Sequence, residues 1–259
     1  MLLKSENLSV SYEKSSVLQD VHFQVEQGEF VAVIGENGAG KSTLLKAISG
    51  EITDYSGGIT FDGNPLSDYS ITALSKMRAV MSQSIHFQYG FTVEEVILFG
   101  RAPHDERRSK SLRVIREMMS ILNICHLQGK LITELSGGER QRVFLAKSLA
   151  QIWDYDGLYG KLLLLDEPTS ALDLKHQKEA LFEIKQLTNA GLGVICITHD
   201  MNLVTAFADK ALMLANGHGM AFGPTRTVMN EANILQCFGV KTKVVNIEGI
   251  AHPVVVNAA

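Results

Sequence analysis

Short runs of apolar residues recur along the chain, at Phe30–Ile34, Ala79–Ser82, Leu162–Leu165 and Val194–Thr198. Runs this short and this continuous predict strands buried on both faces, as in the centre of a parallel sheet. Upstream, residues 2–34 predict strands at Leu8–Val10 and Val21–Val25, then a break at Gln27-Gly28-Glu29 before the Phe30 strand. Gly57–Gly63 predicts a strand ending in an Asp62-Gly63 turn. Helical spacing takes over at Thr43–Ser49, stopped by Gly50, and from Thr92 to about Leu127, where Leu112, Ile115, Met119 and Leu122 share a face. Further helices are expected at Glu139–Ala150 and Leu174–Asn189. After Gly217 the pattern weakens; a short helix near Glu231–Gly239 and a strand near Lys243–Ile247 are the expectations there. Buried strands joined by helices predict an α/β fold.

Two polar interruptions carry candidate chemistry. The first, Gly35-Glu36-Asn37-Gly38-Ala39-Gly40-Lys41-Ser42 followed by Thr43, has the form G-x-x-x-x-G-K-[ST] between a strand and a helix. Its glycines let the backbone curl so that N–H groups face a polyphosphate, and Lys41 reaches the terminal phosphates. The helix N-terminus adds partial positive charge at the same place. The second, Leu135-Ser136-Gly137-Gly138-Glu139-Arg140-Gln141-Arg142, sets a hydroxyl and two glycines before another helix, which makes a second phosphate-binding surface. One chain thus carries two such surfaces and a single lysine loop. The Leu162–Leu165 run ends in Asp166-Glu167-Pro168, which places Asp166 near a Mg²⁺ shared with the Ser42 hydroxyl.

These motifs, in this order, resemble the ATP-binding cassette (ABC) ATPases, and the likeness covers residues 12 to about 200. The resemblance implies a P-loop NTPase core with an N-terminal antiparallel β subdomain. It also implies an inserted helical subdomain at roughly 84–160, all within one domain of 259 residues with a C-terminal extension from roughly 217. It implies that Glu167 is the general base, that His199 contacts the γ-phosphate, and that Gln83 links metal and water to the helical subdomain. Tyr12 would stack on adenine. Ser136, Gly137, Gly138 and Glu139 would close over ATP held by a second copy, giving a head-to-tail homodimer around two ATP molecules. Asp173, in Ser170-Ala171-Leu172-Asp173, would touch that copy; it also suits the N-cap of the next helix, and the two roles are compatible.

Composition narrows the partners. The chain is 46% hydrophobic and 20% charged, with formal net charge −4 and no basic block, so nucleic acid is not an expected partner. The apolar runs are far shorter than the roughly 18–20 residues of a spanning helix, and Met1-Leu2-Leu3 is too little for a signal peptide. Cys125, Cys196 and Cys237 fit neither a disulfide framework nor a metal spacing, as expected in a reducing compartment. A cassette without spanning helices resembles an importer subunit, held on the cytoplasmic face of the inner membrane by a polytopic permease. A periplasmic substrate-binding protein would be an indirect partner. Phe91–Val96, Gly100-Arg101-Ala102-Pro103-His104 and Leu172–Gln177 resemble the iron-siderophore, heme and cobalamin importers. With the extra residues Ile152–Gly160, the likeness is strongest to the hemin-import ATP-binding subunits. Siderophore or cobalamin import, and a regulatory ABC protein that moves no solute, stay open as alternatives.

Overall fold

The computed structural model describes residues 1–13, 15–82 and 90–258. The elements run β1 (Leu3–Tyr12), β2 (Ser15–Val25), β3 (Phe30–Gly35), α1 (Lys41–Ile48), β4 (Ser56–Phe61), β5 (Asn64–Pro65), α2 (Ile71–Met77) and β6 (Arg78–Met81). Then follow α3 (Val93–Phe99), α4 (Arg108–Ile121), α5 (Gly137–Ile152), β7 (Leu162–Asp166), α6 (Leu174–Thr188) and β8 (Gly193–Ile197). The chain closes with α7 (Met201–Phe207), β9 (Lys210–Ala215), β10 (His218–Pro224), α8 (Thr225–Val228), α9 (Glu231–Phe238), β11 (Thr242–Val245) and β12 (Val254–Asn257).

Among the described residues one sheet has the order β5-β4-β1-β2-β10-β9-β3-β8-β7-β6. Strands β9, β3, β8, β7 and β6 are mutually parallel, while β1, β2, β4 and β5 pair antiparallel. The two parts meet where β10 touches β2 at His218 and Gln19. Alternation along the central strands divides their side chains between two cores. Leu162 and Leu164 of β7, with Ile195 and Ile197 of β8, face the antiparallel strands and α1. Leu163, Leu165, Val194 and Cys196 face the other way, toward α3, α4 and α5. A third core joins Ala32 and Ile34 of β3 to α7, α9 and Val255 of β12. The β11–β12 hairpin is thereby seated on α7: the Asn202 amide donates to Val255 O at 3.1 Å and accepts from Val255 N at 2.8 Å.

Several elements differ from the sequence expectation. Strand β1 starts at Leu3, because Leu2 and Leu3 are core residues; a bulge at Asn7, with φ 51°, interrupts its alternation. The span from Thr92 to Leu127 is not one helical run but α3 and α4, separated by Gly100–Arg107. His218–Pro224, weak in pattern, is an integral strand of the sheet. Residues after α5 are anchored, with Leu158 buried and Gly160 N bonded to Gln27 Oε1 at 2.9 Å.

The Gly100–His104 stretch locks α3 against α5. A Cβ on Gly100 would lie 2.2 Å from Lys147 O, so only glycine permits this approach. Arg101, 3% exposed, donates from Nη1 to Ala150 O (2.6 Å) and Trp153 O (2.9 Å), which satisfies carbonyls at the end of α5. Its Nε and Nη2 fork onto both carboxylate oxygens of Glu106 at 2.9 and 2.8 Å. His104 Nε2 donates to Gln151 O at 2.7 Å. Burial alone would raise the Glu106 carboxyl, but the Arg101 fork and the Ser111 hydroxyl prevail and hold it at about 2.

Arg101→Ala removes the fork and both bonds to α5 carbonyls, leaving the largely buried carboxylate only the Ser111 hydroxyl and the Lys110 ammonium at 3.6 Å, a loss of about 3–5 kcal/mol. Thermal unfolding should show Tm lowered by about 6–20 °C; a change under about 2 °C would contradict this role. Because the folded carboxyl is depressed from 4.5 to about 2, the wild-type contribution is full above that upper value. It fades as pH falls toward the lower one, and Arg101→Ala should lack this part of the acid sensitivity.

Candidate nucleotide-binding site

Parallel register brings the candidate residues to one edge of the sheet. Val33 pairs with Ile197, and Ile197 with Asp166, so β3, β8 and β7 end at the same level. The lysine loop, Glu167 and His199 all leave from those carboxyl ends, where ligands bind in open α/β sheets. A cleft of about 750 Å³ lies there. Asn37, Gly38, Gly40, Lys41, Ser42 and Thr43 form one wall, and Asp166, Glu167, Ile197 and His199 the other. Gly35, Glu36 and Ala39 complete the loop behind that wall.

Gly38 and Gly40 take φ of 81° and 100°, which L side chains rarely adopt. Gly40 is the N-cap of α1, which has no side-chain cap and no acid in its first turn. Its end is left to an anionic ligand. Lys41 is buried and donates from Nζ to Gly35 O and Glu36 O at 2.8 Å each. Burial pulls its ammonium below the usual lysine range, and the Glu167 and Asp166 carboxylates work against that pull. Asp166 is pushed up by burial and by Glu167, and is eased by Lys41 and by a hydrogen bond with the Ser42 hydroxyl.

Glu167 has φ 49°, a left-handed conformation costly for a residue with a Cβ. Its N–H donates to Ile197 O at 3.0 Å, tying it to β8. Its Oε1 lies 3.7 Å from His199 Nδ1, close but beyond a hydrogen bond. His199 is well exposed, next to Thr198, whose hydroxyl accepts from Asp200 N at 3.2 Å. Asp200 in turn caps α7.

Tyr12 stands half-exposed at the turn end of the β1–β2 hairpin, paired with Ser15, and does not line the cleft; Val17 of β2 does. Gln83 lies outside the described residues.

A separate cleft of about 590 Å³ holds Ser136, Gly137, Gly138, Glu139 and Asp173, and none of its lining residues belongs to the first. Ser136 caps α5 in a capping box: its Oγ accepts from Glu139 N at 3.3 Å, and Ser136 N donates to Glu139 Oε2 at 2.9 Å. The helix therefore begins at Gly137, two residues before the expected Glu139. A Cβ on Gly138 would come within 3.3 Å of both Leu172 and Ala171, so this turn packs closely on the loop after Glu167. Asp173 is the N-cap of α6, accepting from His176 N at 2.9 Å. Sequence reasoning missed His126, Arg142 and His176, which line this cleft, and Gln141, which bonds to the backbone of Glu167.

Residues 18–170 match the ABC transporter family model, a span that includes the lysine loop, the Ser136 turn and the acid pair. The chain belongs to the ABC transporter family. It is 37% identical over 247 residues to the hemin import ATP-binding protein HmuV of Hahella chejuensis, covering 95% of this chain and 94% of that one. It is 38% identical over 255 residues to HmuV of Pseudomonas aeruginosa, covering 98% and 99%. Among solved structures, a transporter described as of the metal-chelate ABC type, in an inward-facing conformation, superposes with a TM-score of 0.83. That match has 29% identity and covers 100% of this chain and 98% of the other. The family binds ATP, and in the first cleft Asp166 and Ser42 offer the hard oxygen donors that suit Mg²⁺. The described residues hold no cluster of three or more His, Cys, Asp or Glu side chains.

Proposed function

We propose that this ATPase energises the import of hemin through a separate membrane permease, working as a head-to-tail homodimer that encloses two ATP molecules. The observation that carries the reading is the pair of unlike clefts. One has the lysine loop and the Asp166–Glu167 pair; the other has neither, but a helix N-terminus and the Ser136 hydroxyl, flanked by His126, Arg142 and His176. Each lacks what the other has, so a two-fold arrangement of two chains completes both. Hemin as cargo is supported by the HmuV relatives, matched across nearly their whole length. The metal-chelate type neighbour supports a second reading, in which the cargo is another metal chelate such as a ferric siderophore or cobalamin.

In this mechanism Lys41 exchanges its two loop carbonyls for phosphate oxygens, and the loop N–H groups hold the rest of the polyphosphate. Asp166 and Ser42 would hold Mg²⁺, which neutralises charge on the phosphates; Gln83 is proposed as a further ligand. Glu167 accepts a proton from the attacking water as its oxygen bonds to the γ-phosphorus. The bond to the β–γ bridging oxygen breaks, and ADP leaves with that electron pair. His199, beside Glu167, holds the γ-phosphate and the water in line, while Tyr12 stacks on the base. Ser136, Gly137, Gly138 and Glu139 of one chain close over the ATP of the other, with Asp173 at the seam. Closure is passed to the permease and hydrolysis resets it. The location that follows is the cytoplasmic face of the inner membrane, with a periplasmic substrate-binding protein delivering cargo from the far side. No described helix is long and apolar enough to cross a membrane.

A deletion strain starved of iron tests the cargo. With heme as the sole iron source it should fail to grow, and the wild-type gene should restore growth where Glu167→Gln does not. Normal growth on heme in a strain without another heme importer would overturn the hemin assignment. Failure on a ferric siderophore instead would favour the second reading.

A further inference from the structure

Gln141 lies in the second turn of α5 and is 8% exposed, an unusual place for a polar side chain on a helix. Its amide bridges two backbone groups outside its own helix. Nε2 donates to Glu167 O at 3.0 Å, and Oε1 accepts from Ala171 N at 3.0 Å. These groups bracket the path from the acid pair into the Ser170–Asp173 loop. A second amide holds the same path from the other side: Gln177 Nε2 donates to Thr169 O and Leu172 O, each at 3.0 Å. Glu167 needs such fixing, because its φ of 49° persists only where surroundings over-determine it.

Ser136 caps helix α5, so the element whose first turn faces one cleft is bonded through its second turn to the backbone of the acid facing the other. We propose that Gln141 is a positioning residue that couples the Ser136 surface to Glu167, so that closure of a partner's ATP on one cleft aligns the base in the other. This rests on Glu167 as the base and on the two-ATP dimer. The bridge needs a group that donates and accepts at once, which an amide does and an ionised carboxylate does not. Gln141→Glu keeps the size and the bond from Ala171 N, but sets a negative oxygen against Glu167 O. A protonated carboxyl would restore both bonds.

The experiment compares steady-state ATPase activity of wild type, Gln141→Glu and Gln141→Ala across pH. Both variants should lose kcat by about 10–100-fold, the scale of a small misplacement at a reacting centre, with little change in KM for ATP. The deficit of Gln141→Glu, taken as a ratio to wild type, should shrink as pH falls toward the carboxyl range. The ionisable groups facing these clefts, Asp166, Glu167, Asp173, His126, His176 and His199, are common to both proteins, which is why the ratio is read. Wild-type kcat in Gln141→Glu, or a deficit that does not change with pH, would overturn the proposal. If Gln141→Ala fails to fold, the isosteric Gln141→Glu still decides.

Glu167→Gln is run alongside. Its turning over at the wild-type rate would count against Glu167 as base, a failure separate from that of the bridge. Exchange of the Ala171 amide reports the bridge directly: it should quicken in Gln141→Ala whatever Glu167 does, and unchanged exchange would overturn the proposal.

Discussion

Glu167→Gln should bind ATP and form the closed dimer while its turnover falls by about 10²–10⁴-fold, the loss expected for a general base. The substitution keeps the shape of the side chain, so the bonds of its N–H to Ile197 O and of its carbonyl to Gln141 are retained. What is lost is an oxygen that can take a proton from water. One negative charge beside the γ-phosphate is also removed, and it was one of two carboxylates near Lys41. Nucleotide affinity should therefore hold or rise while kcat collapses. Equilibrium titration with ATP and single-turnover kinetics measure the two halves separately. Turnover at the wild-type rate would remove Glu167 from its role.

Lys41→Ala produces the opposite split, with loss at the binding step. In the free chain the ammonium is spent on two loop carbonyls, Gly35 O and Glu36 O, which a phosphate must outcompete. Charge-assisted hydrogen bonds contribute about 1.5–3 kcal/mol each, so removing one bond weakens ATP binding by about 10–150-fold. A further cost arises because Asp166 and Glu167 lose their nearby cation, and Glu167 already helps push the Asp166 carboxyl up. Calorimetric titration with ATP checks this, with thermal unfolding to confirm that the variant is folded. Unchanged affinity in a folded Lys41→Ala protein would contradict the lysine-loop reading.

The parts of this molecule visible in its sequence are those with a local physical signature. Leu162–Leu165 declared a central strand because both faces are buried, and the Gly38, Gly40 and Lys41 spacing declared the phosphate loop because backbone conformation and charge coincide there. Asp173 could be foreseen as an N-cap, since a cap bonds within three residues. The bulge at Asn7 hid the true length of β1 by shifting its alternation. Strand β10 escaped notice because Gly219 and Gly223 leave few side chains to show a period. Gln141 was invisible for another reason: its partners, Glu167 and Ala171, lie 26 and 30 residues away. No helical or strand periodicity marks a bond of that separation. The Gly100–His104 stretch was legible only as a likeness to one importer group. Its physical content, a buried arginine fork closing the end of α5, emerged from the fold.

ATP-driven association of Glu167→Gln, with and without Ser136→Arg, tests the composite site most directly. Light scattering gives the mass of the assembly, and titration gives its nucleotide content. The account predicts that Glu167→Gln with ATP becomes a dimer holding two ATP. It predicts that adding Ser136→Arg leaves monomers that still bind ATP at the lysine loop with affinity changed by less than about threefold, because that cleft shares no lining residue with the Ser136 cleft. A dimer undiminished by Ser136→Arg, or a Glu167→Gln chain that stays monomeric with saturating ATP, would contradict it.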